Sequence, residues 1–233
     1  MNARDLLKAG LEQMRLPVCP QAVDQLLAFS DRLIEKNKVM NLTAVTDPCE
    51  IVTRHFLDCA ALAPSIPVGA RVIDVGTGAG FPGLPLAILT GGDFTLLDAQ
   101  RKRVDFLNET IAVLGLQNAR AVHARAEDFA KDRRAAFDIA VSRAVASLPM
   151  LCELSLPLVR TGGTFFSMKA FDCEEEAARA ENAVRLLGGA PIELLDYEVP
   201  YDAVRRRIVR VDKTAETPPQ YPRRFKKIET NPL

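Results

Sequence analysis

The chain has 233 residues, of which 48% are apolar and 26% charged, with 30 Lys and Arg balancing 30 Asp and Glu. This is an ordinary globular composition, and it excludes a collagen-like or broadly disordered chain. At about 150 residues per domain, the length allows one enzyme-sized domain plus a smaller helical piece. No apolar run approaches the ~18 residues of a membrane helix, and residues 1–5 lack a signal-peptide pattern, so a cytoplasmic protein with no membrane partner is expected. Five scattered cysteines without a Cys-x-x-Cys pair, and only two histidines, argue against a disulfide framework or a metal site. The thiols read as small buried hydrophobes.

The first 64 residues read as helices. Leu7, Leu11 and Met14 fall at helical spacing, and Val23, Leu26, Leu27, Leu33 and Ile34 continue a stripe after Pro20. Asp47-Pro48-Cys49-Glu50 is a helix start, with Asp47 as cap and Glu50 three residues on. That helix is expected to run to about residue 63. From residue 71 short apolar runs alternate with amphipathic ones. Strands are expected near 71–75, 94–98, 120–123, 138–141, 164–169, 194–199 and 207–211, with helices near 84–90, 101–114, 148–159 and 174–187. The alternation predicts an α/β protein with a doubly wound, mostly parallel sheet. Only Pro200-Tyr201-Asp202-Ala203 separates the last two strands, so they form a terminal antiparallel hairpin, an ending that suits methyltransferase sheets better than dinucleotide dehydrogenases. The expected division is a helical extension at 1–64, a Rossmann-like catalytic domain at 65–213 and a basic tail at 214–233.

The most informative segment is Val72-Ile73-Asp74-Val75-Gly76-Thr77-Gly78-Ala79-Gly80-Phe81-Pro82-Gly83. A buried strand ends beside an acid, and glycines at spacing two then let a ligand approach the backbone. A helix follows, with its N-terminal amides aimed at the bound molecule. Gly-x-Gly-x-x-Gly counted from Gly76 fails at Phe81. Acid-x-Gly-x-Gly-x-Gly fits without a shift and is how many S-adenosylmethionine enzymes begin, with Asp74 near the methionine end. Asp98 closes the next strand, where a carboxylate reaches ribose hydroxyls. An NAD-dependent oxidoreductase stays open on these residues alone.

The glycine string, with Asn41-Leu42-Thr43 and Arg54-His55-x-x-Asp58 upstream and Leu97-Asp98, Lys102-Arg103, Ser142-Arg143-Ala144 and Met168-Lys169 downstream, resembles the RsmG/GidB family of bacterial 16S rRNA guanine-N7 methyltransferases. Tyr221-Pro222-Arg223-Arg224 and Asn231-Pro232-Leu233 are similar to the tails of some members. The resemblance implies a class I S-adenosylmethionine methyltransferase fold. It also implies methylation of the guanine conventionally called 527, in 16S rRNA or the small ribosomal subunit. Carried over residue by residue, it places Gly76, Gly78 and Phe81 at the cofactor loop, with Asp98 at the ribose. Ala126 and Glu127 then sit beside the adenine, and Arg143 lines the site. Cys59 and Ala170 depart from the family pattern, which more often has Ser and Gly there.

The implied chemistry needs no general base, because guanine N7 already exposes a lone pair. Alignment is what the site must supply. No Asp/Asn-Pro-Pro-aromatic motif follows the fourth strand, and Pro48-Cys49 opens an upstream helix, which disfavours exocyclic-amine and cytosine-C5 chemistry. Arg143 and Lys169 are expected to orient guanine, phosphate or cofactor against the charge that develops. The duller readings are an ion-pair partner for Arg143 and a solvated strand end for Lys169. Asn41 and His55 are expected to contact RNA, or else to close a turn and to pack.

Nine basic residues (Arg205, Arg206, Arg207, Arg210, Lys213, Arg223, Arg224, Lys226 and Lys227) face only Asp212 and Glu216, an excess of seven positive charges in a neutral chain. Arg205, Arg207, Arg223 and Arg224 are therefore expected on an RNA-facing surface, although a solvated face would carry the same charges. The arginine trio at 205–207 alternates along a strand, so all three cannot face one partner. No metal is expected, and a monomer is. Methylation of another RNA, a protein or a small molecule is the remaining alternative.

Overall fold

The computed structural model describes residues 1–143, 146–202 and 204–233. Ala144 of the Ser142-Arg143-Ala144 motif and Ala203 of the hairpin link lie outside the described residues. Helix α1 (Ala3–Gln13) is capped by Asn2, whose side chain accepts the Asp5 amide at 2.9 Å. Helix α2 (Pro20–Met40) begins on proline and ends where Asn41 turns left-handed, φ 49° and ψ 55°. Asp47 caps α3 (Pro48–Ile51) by accepting the amides of Cys49 and Glu50. Glu50 pairs with Arg54 at 3.3 Å, a partner one turn along the helix.

The single helix expected from residue 48 to about 63 is broken. A π-helical segment spans Val52–Leu57, followed by α4 (Asp58–Ala60) and a 3₁₀ turn at Ala63–Ser65. Wide π turns are uncommon and concentrate at functional sites. This one carries His55 and delivers Asp58.

Seven strands form one sheet: β1 (Arg71–Val75), β2 (Asp93–Asp98), β3 (Ala119–His123), β4 (Phe137–Arg143), β5 (Val159–Ala170), β6 (Glu193–Glu198) and β7 (Arg205–Asp212). Their order is β3-β2-β1-β4-β5-β7-β6. The first five are parallel, and β7 pairs antiparallel with both β5 and β6. The terminal hairpin expected from sequence is present, with its second strand inserted between β5 and its first.

Helices α5 (Gly83–Leu89), α6 (Arg101–Leu114), α7 (Ala126–Asp132), α8 (Leu148–Ser155) and α9 (Glu174–Leu186) cover the sheet, and α10 (Phe225–Thr230) lies in the tail. The helix expected over 148–159 stops at Ser155. Leu156–Leu158 tightens into a 3₁₀ turn around Pro157, and β5 starts at Val159, five positions earlier than expected. Proline removes an amide the helix would need. Helices α7 and α10 were not expected, being too short for a periodic pattern to show.

Period two along β1 sorts its side chains between two cores. Val72 joins Leu7, Leu11, Phe29 and Phe56 of the N-terminal helices, whereas Ile73 and Val75 join Leu148, Leu151 and Val184 of α8 and α9. The helices before residue 64 therefore share a core with the sheet. Asp74 falls on their side, facing α5. The strand order reverses between β1 and β4, which opens a crevice at the carboxyl ends of those strands.

Candidate active site

The glycine turn occupies that crevice. Gly76 and Thr77 donate their amides to the Leu97 carbonyl at 2.9 and 3.0 Å, tying the turn to the end of β2. Gly78 has φ +61°, and a Cβ built there would meet only the Gly76 carbonyl, at 3.9 Å. Its α-carbon therefore faces open space. Gly83 has the opposite reason to be glycine: a Cβ would come within 2.4 Å of Leu96 and 2.7 Å of Asp74. Only a bare backbone lets α5 begin against β1 and β2.

Asp74 is fully buried beneath the turn. Its Oδ2 accepts the Thr77 hydroxyl at 2.6 Å and the Gly83 amide at 2.8 Å, and Oδ1 has no partner. Burial pushes its pKa up to about 7, against those two hydrogen bonds. Asp74 fastens the loop from below and lines neither cavity. Asp98 does reach both. Its Oδ2 accepts the Gly78 amide at 2.9 Å, its Oδ1 accepts the Gln100 amide at 2.8 Å, and Arg103 lies 3.5 Å away.

Two adjoining cavities share Gly76, Asp98 and Ala99. One, of about 110 Å³, is walled by Ala126, Glu127, Leu154 and Phe225. Burial raises the pKa of Glu127. The other, of about 510 Å³, is walled by Gly78, Phe81, Thr43, His55, Arg103 and Arg143. A mostly apolar slot that shares the Asp98 carboxylate with a polar chamber has the chemistry to receive S-adenosylmethionine. A larger space of about 580 Å³ between Arg134 and Lys213 is remote from the turn. There Lys213 already donates to the Leu187 carbonyl and the Thr217 hydroxyl.

Above the polar chamber four elements meet. Arg143, at the end of β4, donates from Nη1 to Asp58 Oδ2 at 2.8 Å and to the Arg54 carbonyl at 3.2 Å. Tyr197 on β6 donates its hydroxyl to Asp58 Oδ1 at 2.7 Å. The guanidinium carbon lies 4.8 Å from the Phe81 ring centre, a cation–π contact. Arg143 Nη2 lies 3.2 Å from His55 Nδ1. Nδ1 also lies 3.0 Å from the Arg54 carbonyl, a contact that needs the ring proton on Nδ1 whereas the Arg143 contact needs Nδ1 as acceptor, and Nε2 faces the Thr43 hydroxyl at 3.0 Å. Burial, reinforced by the Arg143 charge, lowers the His55 pKa to about 4. The imidazole is neutral at physiological pH.

Other expected site residues go elsewhere. Lys169 donates to Glu176 at 2.9 Å and to the Ala146 carbonyl at 3.1 Å. It joins β5 to α9 and lines neither cavity. Asn41 is exposed and supplies the left-handed turn, while Asn37 accepts the amides of Leu42 and Thr43 at 2.6 and 2.9 Å and so sets Thr43 at the chamber. Arg207 is held by Asp196 at 2.7 Å and Glu174 at 2.5 Å, and Arg223 grips fully buried Glu153. Both guanidiniums are thus already engaged by carboxylates of this chain. Arg205 stays half-exposed, 3.4 Å from Asp196, and Arg224 is exposed. Cys59, Cys152 and Cys173 are buried as expected, whereas Cys19 is exposed.

Asp58, Tyr197, Thr43 and Phe225 were not assigned roles from sequence. Spacing along the Arg54-His55-x-x-Asp58 helix pointed to a shared face for the first. Nothing in the sequence pointed to Tyr197.

Solved structures share this architecture. M. jannaschii TYW2 in complex with AdoMet superposes with a TM-score of 0.54 at 16% identity, over 66% of this chain and 73% of that one. A SAM-dependent O-methyltransferase from Thermotoga maritima gives 0.53 at 16% identity, over 80% and 72%. The fold they share with this chain is a Rossmann-like sheet covered by helices. The family model described as GidB, rRNA small subunit methyltransferase G, matches residues 22–200, and the chain belongs to that family. Relatives named ribosomal RNA small subunit methyltransferase G from Alkaliphilus oremlandii and Acetivibrio thermocellus are each 40% identical, over all of this chain and 100% and 98% of the relative.

Proposed function

We propose that the chain methylates N7 of one guanine in 16S rRNA, the base conventionally called 527, by direct in-line transfer without a general base. Bound S-adenosylmethionine would supply an activated methyl group on sulfur. The chain's own residues then bind and orient. Asp98 and the amides of the glycine turn hold the nucleoside, and Phe81 floors the chamber into which the guanine edge enters. Arg143 stands there as a fixed donor that orients guanine O6 or a phosphate.

The observation that carries this reading is the chamber wall itself. Its ionisable groups are two arginines, Arg103 and Arg143, a histidine with a pKa near 4 and a carboxylate that already accepts backbone amides. Such a wall suits a nucleophile that arrives with a free lone pair, and holding it in line is worth roughly 7–11 kcal/mol. No described helix is long and apolar enough to cross a membrane, which agrees with a cytoplasmic enzyme working on ribosomal subunits. The exposed large apolar side chains, such as Val39, Val68 and Val113, come from separate elements, which favours a monomer.

The test is transfer of labelled methyl to small subunits lacking the modification, against total protein and a metabolite pool. Label entering 16S rRNA alone is expected. Label entering protein or metabolites instead would overturn the substrate class.

A further inference from the structure

The family model ends at residue 200, yet the segment beyond β7 returns to the cofactor cleft. It is anchored twice. The Arg223 amide and Nε both donate to Glu153 Oε1 at 2.8 Å, and Nη2 donates to Oε2 at 2.6 Å. Glu153 is fully buried on α8, so this bidentate pair holds its geometry tightly. Five residues on, Ile228 is fully buried in the core formed with α8 and α9.

Between these anchors stands Phe225. Its ring forms a wall of the smaller cavity, together with Ala126 and Glu127 from α7, Leu154 beside Glu153, and Gly76 of the glycine turn. The Arg125 guanidinium lies 5.0 Å from the ring centre and steadies it by a cation–π contact. An aromatic ring held between a buried ion pair and a buried isoleucine is pre-organised for stacking on a flat heterocycle. The other walls are small or aliphatic residues together with Asp98, Arg125 and Glu127, so among the described residues Phe225 is the one aromatic ring in the lining.

We propose that Phe225 is a cofactor-positioning residue: the C-terminal segment supplies the aromatic wall on which the adenine of S-adenosylmethionine packs, and the Glu153–Arg223 pair sets that wall in place. This rests on the reading of the cleft as the cofactor site, and it assigns a ligand-binding role to a part of the chain outside the family model. The tail is thereby read as part of the catalytic unit.

The experiment uses the full chain and S-adenosylhomocysteine as probe, with binding as readout. Titration calorimetry on the parent should give saturable binding. Phe225→Ala should weaken it about tenfold, the scale of losing one base–aromatic stack, and Phe225→Tyr should bind within about threefold of the parent. Arg223→Gln should weaken binding in the same direction, because the ring loses its anchor.

The chain has no tryptophan, so Phe225→Trp places a single reporter at the wall. Its emission should change saturably, with the dissociation constant found by calorimetry. A purely structural tail would not give that signal. Parent-like affinity in Phe225→Ala, or tryptophan emission indifferent to the probe while calorimetry shows binding, would overturn the proposal and leave the cofactor reading intact. Failure of the parent to bind the probe would overturn both.

Discussion

Asp58 and Arg143 are 85 residues apart in the chain and 2.8 Å apart in space. The π turn brings the carboxylate in, the end of β4 brings the guanidinium, and both are largely buried, with side chains 6% and 15% exposed. Tyr197 satisfies the other carboxylate oxygen. The pair fixes Arg143 on the chamber wall between Phe81 and His55.

Asp58→Asn keeps the shape and removes the charge. Breaking one side of a buried pair costs about 3–5 kcal/mol, so the urea midpoint should fall clearly. The kcat/KM for RNA methylation should drop more than tenfold as Arg143 loses its seat. Parent-like kinetics in a destabilised variant would show that Arg143 has no part in catalysis.

How much of this was legible beforehand differs by element. β1, the glycine turn and Asp98 could be read because a parallel strand buried on both faces leaves an unbroken apolar run, and glycine marks backbone that a side chain would block. The π turn was illegible, since its residues keep helical spacing on either side. Asp74 was legible as part of the turn, but period two alone could not say that α5 would start against it. The pairing of the basic residues was illegible because composition counts charges and not partners. Glu153, Glu174 and Asp196, which hold Arg223 and Arg207, are far from them in sequence.

Asp74 and His55 should oppose each other in the pH dependence of stability. An unfolded imidazole takes up its proton near pH 6.5 and the folded one only near 4, so the unfolded state binds more protons between these values. The His55 contribution therefore grows as pH rises through that window. The folded Asp74 carboxyl keeps its proton to about pH 7, whereas its ordinary value is 3.8, so its contribution shrinks as pH rises from about 4 to 7. Asp74→Asn removes only the shrinking part. Its melting temperature minus the parent's should climb between pH 4.5 and 6.5, and His55→Gln should give the opposite slope. Parallel curves would refute both assignments.

Gly78→Ala tests the turn as a cradle. The added methyl points into the open cleft, at a φ of +61° that alanine resists. Stability should fall by about 1–2 kcal/mol, and S-adenosylhomocysteine affinity should fall more than tenfold, by calorimetry. Unchanged affinity would mean that no ligand crosses the bend.

Lys169→Met separates structure from chemistry at the end of β5. Losing the contacts to Glu176 and the Ala146 carbonyl should cost about 1–2 kcal/mol in chemical denaturation. Single-turnover methylation below the unfolding transition should stay within about twofold of the parent. A hundredfold slower rate in a folded variant would restore Lys169 to the reaction.

The most direct measurement is the identity of the methylated atom. Small subunits that lack the modification are incubated with the chain and S-adenosylmethionine carrying a labelled methyl, and the 16S rRNA is digested to nucleosides. The expected result is that all label co-elutes with 7-methylguanosine, at one position. Label on an exocyclic amine or a ring carbon, each of which must lose a proton to a base that this chamber wall does not offer, would contradict direct transfer to a free ring nitrogen.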